Sequence, residues 1–90
     1  MIKFKLTVEN ALGIHARPAG RIANIASSAE SSVDLVYSEQ RVNAKSILNL
    51  MMLAIPPGSE VEFIINGADE QKVAGELSEL FKSKFYEDAA

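Results

Sequence analysis

Residues 2–8 alternate strictly between apolar and polar side chains. Ile2, Phe4, Leu6 and Val8 share one face, and Lys3, Lys5 and Thr7 share the other. That is the period of a strand with one buried side. Asn10 and Gly13 break the pattern as a loop. From about Ala16 the period lengthens: Ala19, Ile22, Ala23 and Ala26 recur at helical spacing. Pro18 falls in the first turn, where its missing N–H costs little. The polar stretch Ser27–Ser32 ends this helix. Val33, Leu35 and Tyr37 alternate as a second strand, Ser38–Gln40 connects, and Arg41–Ala44 makes a brief third strand with Val42 inward. Ser46 precedes the apolar run Ile47–Ile55 and reads as an N-cap. Pro56-Pro57-Gly58 stops that helix and turns the chain. Glu60–Gly67 alternates again, with Val61, Phe63 and Ile65 on one face. Asp69 is placed to cap a last helix with the stripe Val73, Leu77, Leu80 and Phe81. Glu87-Asp88-Ala89-Ala90 is expected to fray.

The predicted order is β-α-β-β-α-β-α. Each strand has one apolar face and each helix one apolar stripe. The fold class is therefore α+β: an open-faced β-sandwich, with a four-stranded antiparallel sheet covered on one face by three helices. The 90 residues fit one domain over 1–90. Repeats, linkers and low-complexity segments are absent.

Composition narrows the chemistry. With no cysteine and a single histidine, disulfides, thiolate metal sites and clustered-histidine sites are excluded. No apolar run approaches the roughly 18 residues of a membrane span, and the first residues lack the apolar core of a signal peptide. A soluble, cytoplasmic protein is expected, without membrane association. The net charge is −3, which disfavours non-specific nucleic-acid binding. An RNA-binding βαββαβ domain would need exposed aromatics on its central strands. Here Phe4, Tyr37 and Phe63 fall on the core faces, so no nucleic-acid partner is expected. The charge is unevenly spread: residues 1–46 sum to +2 and residues 47–90 to −5.

The basic half carries the most suggestive segment, Gly13-Ile14-His15-Ala16-Arg17-Pro18-Ala19. The sole histidine stands between a glycine turn and a helix start. The first N–H groups of a helix lack partners within it, and the helix dipole is positive there. An anion at that point is stabilised, while a positive charge is opposed, so an imidazole there keeps a lone pair to attack phosphorus. Arg17 adds a fixed charge with forked donors suited to phosphate oxygens. Gly13 lets the backbone turn sharply. A lone histidine near a helix end usually has no role; its packing with Gly, Arg and Pro at a helix start is what argues for one. Ser46, as an N-cap, is sufficiently explained by a bond to a backbone N–H. On the helix it caps, Leu50 and Leu53 suffice as a buried pair. Ile47, Leu48 and Met51 then form a second apolar side that suits partner docking. Arg17, Arg21 and Lys45 would give it a basic rim.

The segment Gly13–Ala19 closely resembles the active-site signature of the HPr family, the histidine phosphocarriers of the bacterial phosphoenolpyruvate-dependent sugar phosphotransferase system. Val42-Asn43-Ala44-Lys45-Ser46-Ile47-Leu48-Asn49-Leu50-Met51-Met52-Leu53 resembles the regulatory-serine region of that family, and Gly67-Ala68-Asp69-Glu70 also matches. The resemblance covers nearly the whole chain. It implies that His15 accepts a phosphoryl group on Nδ1 from phosphorylated enzyme I and passes it to enzyme IIA domains of sugar permeases. Arg17 would steady the phosphate, and Pro18 would set the helix-start geometry. Ser46 would be phosphorylated by an ATP-dependent HPr kinase/phosphorylase. Arg21, Lys45, Ile47, Leu48 and Met51 would dock partners, with a catabolite-control transcription regulator as a further one. The resemblance implies a carrier rather than a stand-alone enzyme, with no cofactor and no metal, and monomer as the default state.

Some positions depart from the family pattern. Leu12 stands where a small polar residue is common, and Asn49 replaces a frequent glycine. Gly20 lowers the helicity of its segment by roughly 0.8–1 kcal/mol relative to Ala. Pro56-Pro57 is unusual before Gly58. The segment Leu80–Asp88 is similar to the nitrogen-related HPr paralogue, which leaves a regulatory phosphorelay as one alternative. A Ser46-phosphorylated corepressor module is another, although such relatives lack the histidine present here.

Overall fold

The computed structural model describes residues 1–86, so the expected fraying of 87–90 lies outside the described residues. The elements are β1 (Ile2–Thr7), α1 (Ala16–Ser28), β2 (Ser32–Tyr37), β3 (Gln40–Asn43), α2 (Ile47–Met52), β4 (Glu60–Asn66) and α3 (Glu70–Lys82), followed by a single 3₁₀ turn, Lys84–Tyr86. The four strands form one antiparallel sheet in the order β1-β4-β2-β3. This is the α+β open-faced sandwich that the periodicities predict.

Register explains why the alternation works. Phe4 pairs with Phe63, Phe63 with Leu35, and Leu35 with Val42, so one row of apolar side chains crosses the sheet beneath the helices. Ile2, Ile65 and Val33 make a second row. A slip of one residue would turn every one of these side chains to solvent. On the opposite face, Lys5 aligns with Glu62 and Val36 with Arg41. Ile64 also points to that face yet is buried, an exception that period-2 reasoning does not anticipate.

Ala19, Ile22, Ala23 and Ala26 of α1 and Val73, Leu77, Leu80 and Phe81 of α3 are buried against the sheet. Burying each large aliphatic or aromatic side chain contributes roughly 1.5–3 kcal/mol. All four phenylalanines join one chain of ring contacts. Phe4 stacks on Phe63 at 5.8 Å, Phe63 meets Phe81 edge-on at 5.6 Å, and Phe81 lies 4.7 Å from Phe85.

Several boundaries shift by a residue, as at β3 (Gln40–Asn43 rather than 41–44), and three differences are informative. Helix α2 ends at Met52, not Ile55. Leu53 is its C-cap and Ala54 adopts φ +51°, which breaks the helical path before Pro56 can. β1 closes at Thr7, and Val8 instead bonds the β4 approach. Asp69 occupies the N-cap position of α3 without capping it. Its carboxylate accepts from the Ser31 hydroxyl and from the N–H groups of Glu30 and Ser31, each N–H at 3.0 Å. The side chain thus ties the start of α3 to the loop after α1.

Candidate functional site

His15 is the N-cap residue of α1, with extended backbone angles (φ −96°, ψ −165°). Its carbonyl accepts the first helical bond, from Ala19 N–H at 3.0 Å. Ala16, Arg17 and Pro18 are therefore the first three helical residues, and Pro18 has no N–H. The helix thus begins with two N–H groups, those of Ala16 and Arg17, which no carbonyl within the helix can reach. The first turn contains no acidic residue, and the imidazole makes no cap bond to it. The positive end of this 13-residue helix therefore lies at His15, where an anion would be stabilised. Arg17 is exposed at the rim. Of the two ring nitrogens, Nε2 is buried.

The loop that carries the histidine is fixed from behind. Ile14 is buried, and its N–H donates to the Ile55 carbonyl at 3.0 Å. Val8 N–H donates to Ser59 O at 2.8 Å, and Gly58 N–H to Val8 O at 2.7 Å. The loop is therefore held to the α2–β4 connection along both of its sides. Asn10 is fully buried and donates from Nδ2 to the Gly13 carbonyl at 2.8 Å. Gly13 has φ +75°, and a Cβ there would lie 2.5 Å from the Ile55 carbonyl oxygen. No other residue fits both constraints. Pro56 lies against the same point, so the Pro56-Pro57 pair stiffens the wall on which the loop rests.

Ser46 caps α2 as the sequence predicts: its Oγ accepts from Asn49 N–H at 3.2 Å. Helix α2 has only six residues and so spans roughly 9 Å. Ser46 stands at one end of it, and the connection that braces the histidine loop leaves the other. Along this helix Leu50 and Leu53 are buried, while Ile47, Leu48 and Met51 are exposed, Leu48 to 66%. Lys45 is exposed next to them. Two apolar residues not foreseen as docking residues join this list, Met52 at 73% and Leu12 at 72% exposure. Met52 follows Leu48 by one helical turn, a signal the sequence did carry.

Arg21 is placed differently from Arg17 and Lys45. It lines a cleft between α1 and α3 with Asn24, Ile25, Leu80 and Tyr86, and its guanidinium carbon lies 5.6 Å above the Tyr86 ring. That contact has no local signature in the sequence, because it depends on the turn after α3.

Comparison with known proteins agrees with the fold. A family model described as the PTS HPr component phosphorylation site matches residues 2–83. The phosphocarrier protein HPr of Treponema pallidum is 41% identical over 88 residues, which cover 98% of this chain and 100% of that protein. The phosphocarrier protein HPr of Xylella fastidiosa is 40% identical over 98% of this chain and 99% of its own length. Among solved structures, an HPr from Thermoanaerobacter tengcongensis superposes with a TM-score of 0.93 at 34% identity, covering 98% of this chain and 99% of that one. With the sheet order, the histidine at a helix start and these relatives in agreement, the chain belongs to the HPr family of phosphocarriers of the phosphotransferase system.

Proposed function

We propose that His15 takes a phosphoryl group from phosphorylated enzyme I and delivers it to enzyme IIA domains of sugar permeases, as a monomer in the cytoplasm. The observation that carries this reading is the start of α1, where His15 is the N-cap residue, no side chain caps the helix and no acidic residue lies in the first turn. The Nδ1 lone pair forms the new N–P bond while the bond from phosphorus to the donor breaks. In the onward step a nucleophile of the enzyme IIA domain forms a bond to phosphorus as the N–P bond breaks, and that bond's electron pair goes back to nitrogen. The charge spread over the three phosphoryl oxygens meets oriented N–H donors and Arg17, so catalysis is positioning and electrostatics. Pro18 limits those donors to two. A carrier gains from such restraint, because deep binding of the phosphohistidine would slow its release. Ile47, Leu48 and Met51, with Arg17, Arg21 and Lys45, form the docking surface. Handover between partners favours small interfaces steered by charge.

Ser46 serves as the regulatory site. Phosphorylation by an HPr kinase/phosphorylase adds about −1.5 to −2 charge at neutral pH. At the N-cap of α2 this charge suits the helix while repelling an acidic partner face. A catabolite-control transcription regulator is a further partner of the serine-phosphorylated form.

One assay run in two arms tests this reading. Incubation with enzyme I and phosphoenolpyruvate is expected to place acid-labile phosphate on the wild type and none on His15→Ala. Incubation with HPr kinase and ATP is expected to place acid-stable phosphate on the wild type and none on Ser46→Ala. Equal labelling of His15→Ala in the first arm removes the carrier assignment; equal labelling of Ser46→Ala in the second removes the serine assignment.

A further inference from the structure

Beyond the histidine and serine sites, the molecule holds one feature that neither explains. After α3 the chain makes a turn in which three consecutive non-glycine residues are left-handed: Lys84 (φ +55°), Phe85 (φ +59°) and Tyr86 (φ +58°). Such conformations are unfavourable for residues with a Cβ, and a run of them persists only where the surroundings hold it. The anchor is Phe85, fully buried against Phe81. The consequence is the position of the next residue. Tyr86 is 56% exposed, so burial does not account for its placement, yet its ring lies under the Arg21 guanidinium at 5.6 Å. Arg21 Nε is buried with no hydrogen-bond partner among the described residues. The two side chains share a shallow cleft of about 220 Å³ between α1 and α3.

Arg21 is one helical turn beyond Arg17, so the two cations share a face of α1. An arginine on a long flexible stem loses rotamer freedom when it pairs with a partner's carboxylate. A guanidinium stacked on an aromatic face has already lost much of it, and its outer N–H edge remains available for forked recognition. We propose that Tyr86 is a positioning residue for docking: the left-handed turn delivers its ring to Arg21 and presets that guanidinium to receive a carboxylate of the acidic partner. This inference rests on the docking role proposed above for Arg21.

The test compares Tyr86→Phe, Tyr86→Leu and Tyr86→Ala, each alone and with Arg21→Ala, in phosphorylation by enzyme I. Tyr86→Leu and Tyr86→Ala are expected to raise KM about three- to tenfold with kcat unchanged, Tyr86→Phe to leave KM as in the wild type, and none of the three to raise it further in the Arg21→Ala background. The Arg21 Nε–H proton resonance, displaced by the ring current in the wild type, is expected to return to the ordinary arginine position in Tyr86→Leu. An unmoved resonance overturns the proposal without reference to any partner. So does a KM that is unchanged in Tyr86→Leu, or that rises equally with and without Arg21. Failure of enzyme I to label the wild type would instead count against the carrier reading, and the resonance would still decide the stacking.

Discussion

Helices α1 and α3 have the same length of 13 residues and opposite treatments of their N-termini. At α3 the positive end is already occupied. Glu70 lies in the first turn, its Oε1 accepts from Gly67 N–H at 3.2 Å, and its Oε2 lies 3.0 Å from the Met1 amine. Beside it, Asp69 binds the Ser31 hydroxyl and the neighbouring N–H groups. At α1 there is no acid, no cap bond and an imidazole. The start of α2 is a third case, capped by the Ser46 hydroxyl. The comparison teaches that an anion site is made as much by what is left out as by what is supplied. The start of α3 spends its field on permanent carboxylates and so holds the fold together. The start of α1 carries no such charge, which leaves its field for the phosphoryl group proposed for His15.

The largest way to break this contrast is to disturb the loop that holds His15 in place. Gly13→Ala places a Cβ 2.5 Å from the Ile55 carbonyl oxygen in a left-handed backbone. The expected cost is roughly 2–5 kcal/mol, read as a lowered urea midpoint with an unchanged m value. Filling the start of α1 sharpens the contrast more directly. Ala16→Glu gives α1 the acid that α3 already has. Stability is expected to hold or rise by about 0.3–1 kcal/mol, while kcat/KM for phosphorylation by enzyme I falls about tenfold or more, near 1.4 kcal/mol. Opposite signs for stability and activity are the diagnostic result.

Ser46→Ala removes the cap of α2 and is expected to cost about 0.5–2 kcal/mol in thermal or chemical unfolding. Ser46→Asp keeps a capping oxygen and is expected to preserve stability within a few tenths of a kcal/mol while raising the KM for enzyme I. The smallest effect concerns α3. The Ser31 hydroxyl and then the Glu30 N–H hold the Asp69 carboxyl below its usual range, and the Met1 amine and then the Gly67 N–H do the same for Glu70. Both groups bind protons less readily folded than unfolded. Their contribution is therefore present above the ordinary carboxylate range, about 3.9–4.3, and is lost as pH falls through the lowered values. Unfolding measured between pH 2 and 6 is expected to show a shallower acid loss in Asp69→Asn than in the wild type.

Much of this was legible in the sequence because each element repeats a physical period. Phe4, Phe63, Leu35 and Val42 could be assigned to one face before their register was known. His15, Arg17 and Pro18 could be placed at a helix start because glycine and proline bracket it. What stayed hidden depended on contacts between distant segments. Asp69 has the chemistry of a cap, and only the approach of Ser31 diverts it. Asn10 looks like an ordinary loop residue until its burial beneath Gly13 is seen. Helix α2 ends three residues early because Ala54 turns left-handed, which an unbroken apolar run does not signal. Tyr86 meets Arg21 through a turn that no local pattern marks.

The most direct measurement of the central claim is a heteronuclear NMR spectrum of the protein phosphorylated by enzyme I and phosphoenolpyruvate. The account predicts phosphorus coupled to His15 Nδ1, the ring nitrogen opposite the buried Nε2, together with selective shifts of the Ala16 and Arg17 amide protons. Phosphorus on Nε2, or on Nδ1 with those two amides unmoved, would contradict it.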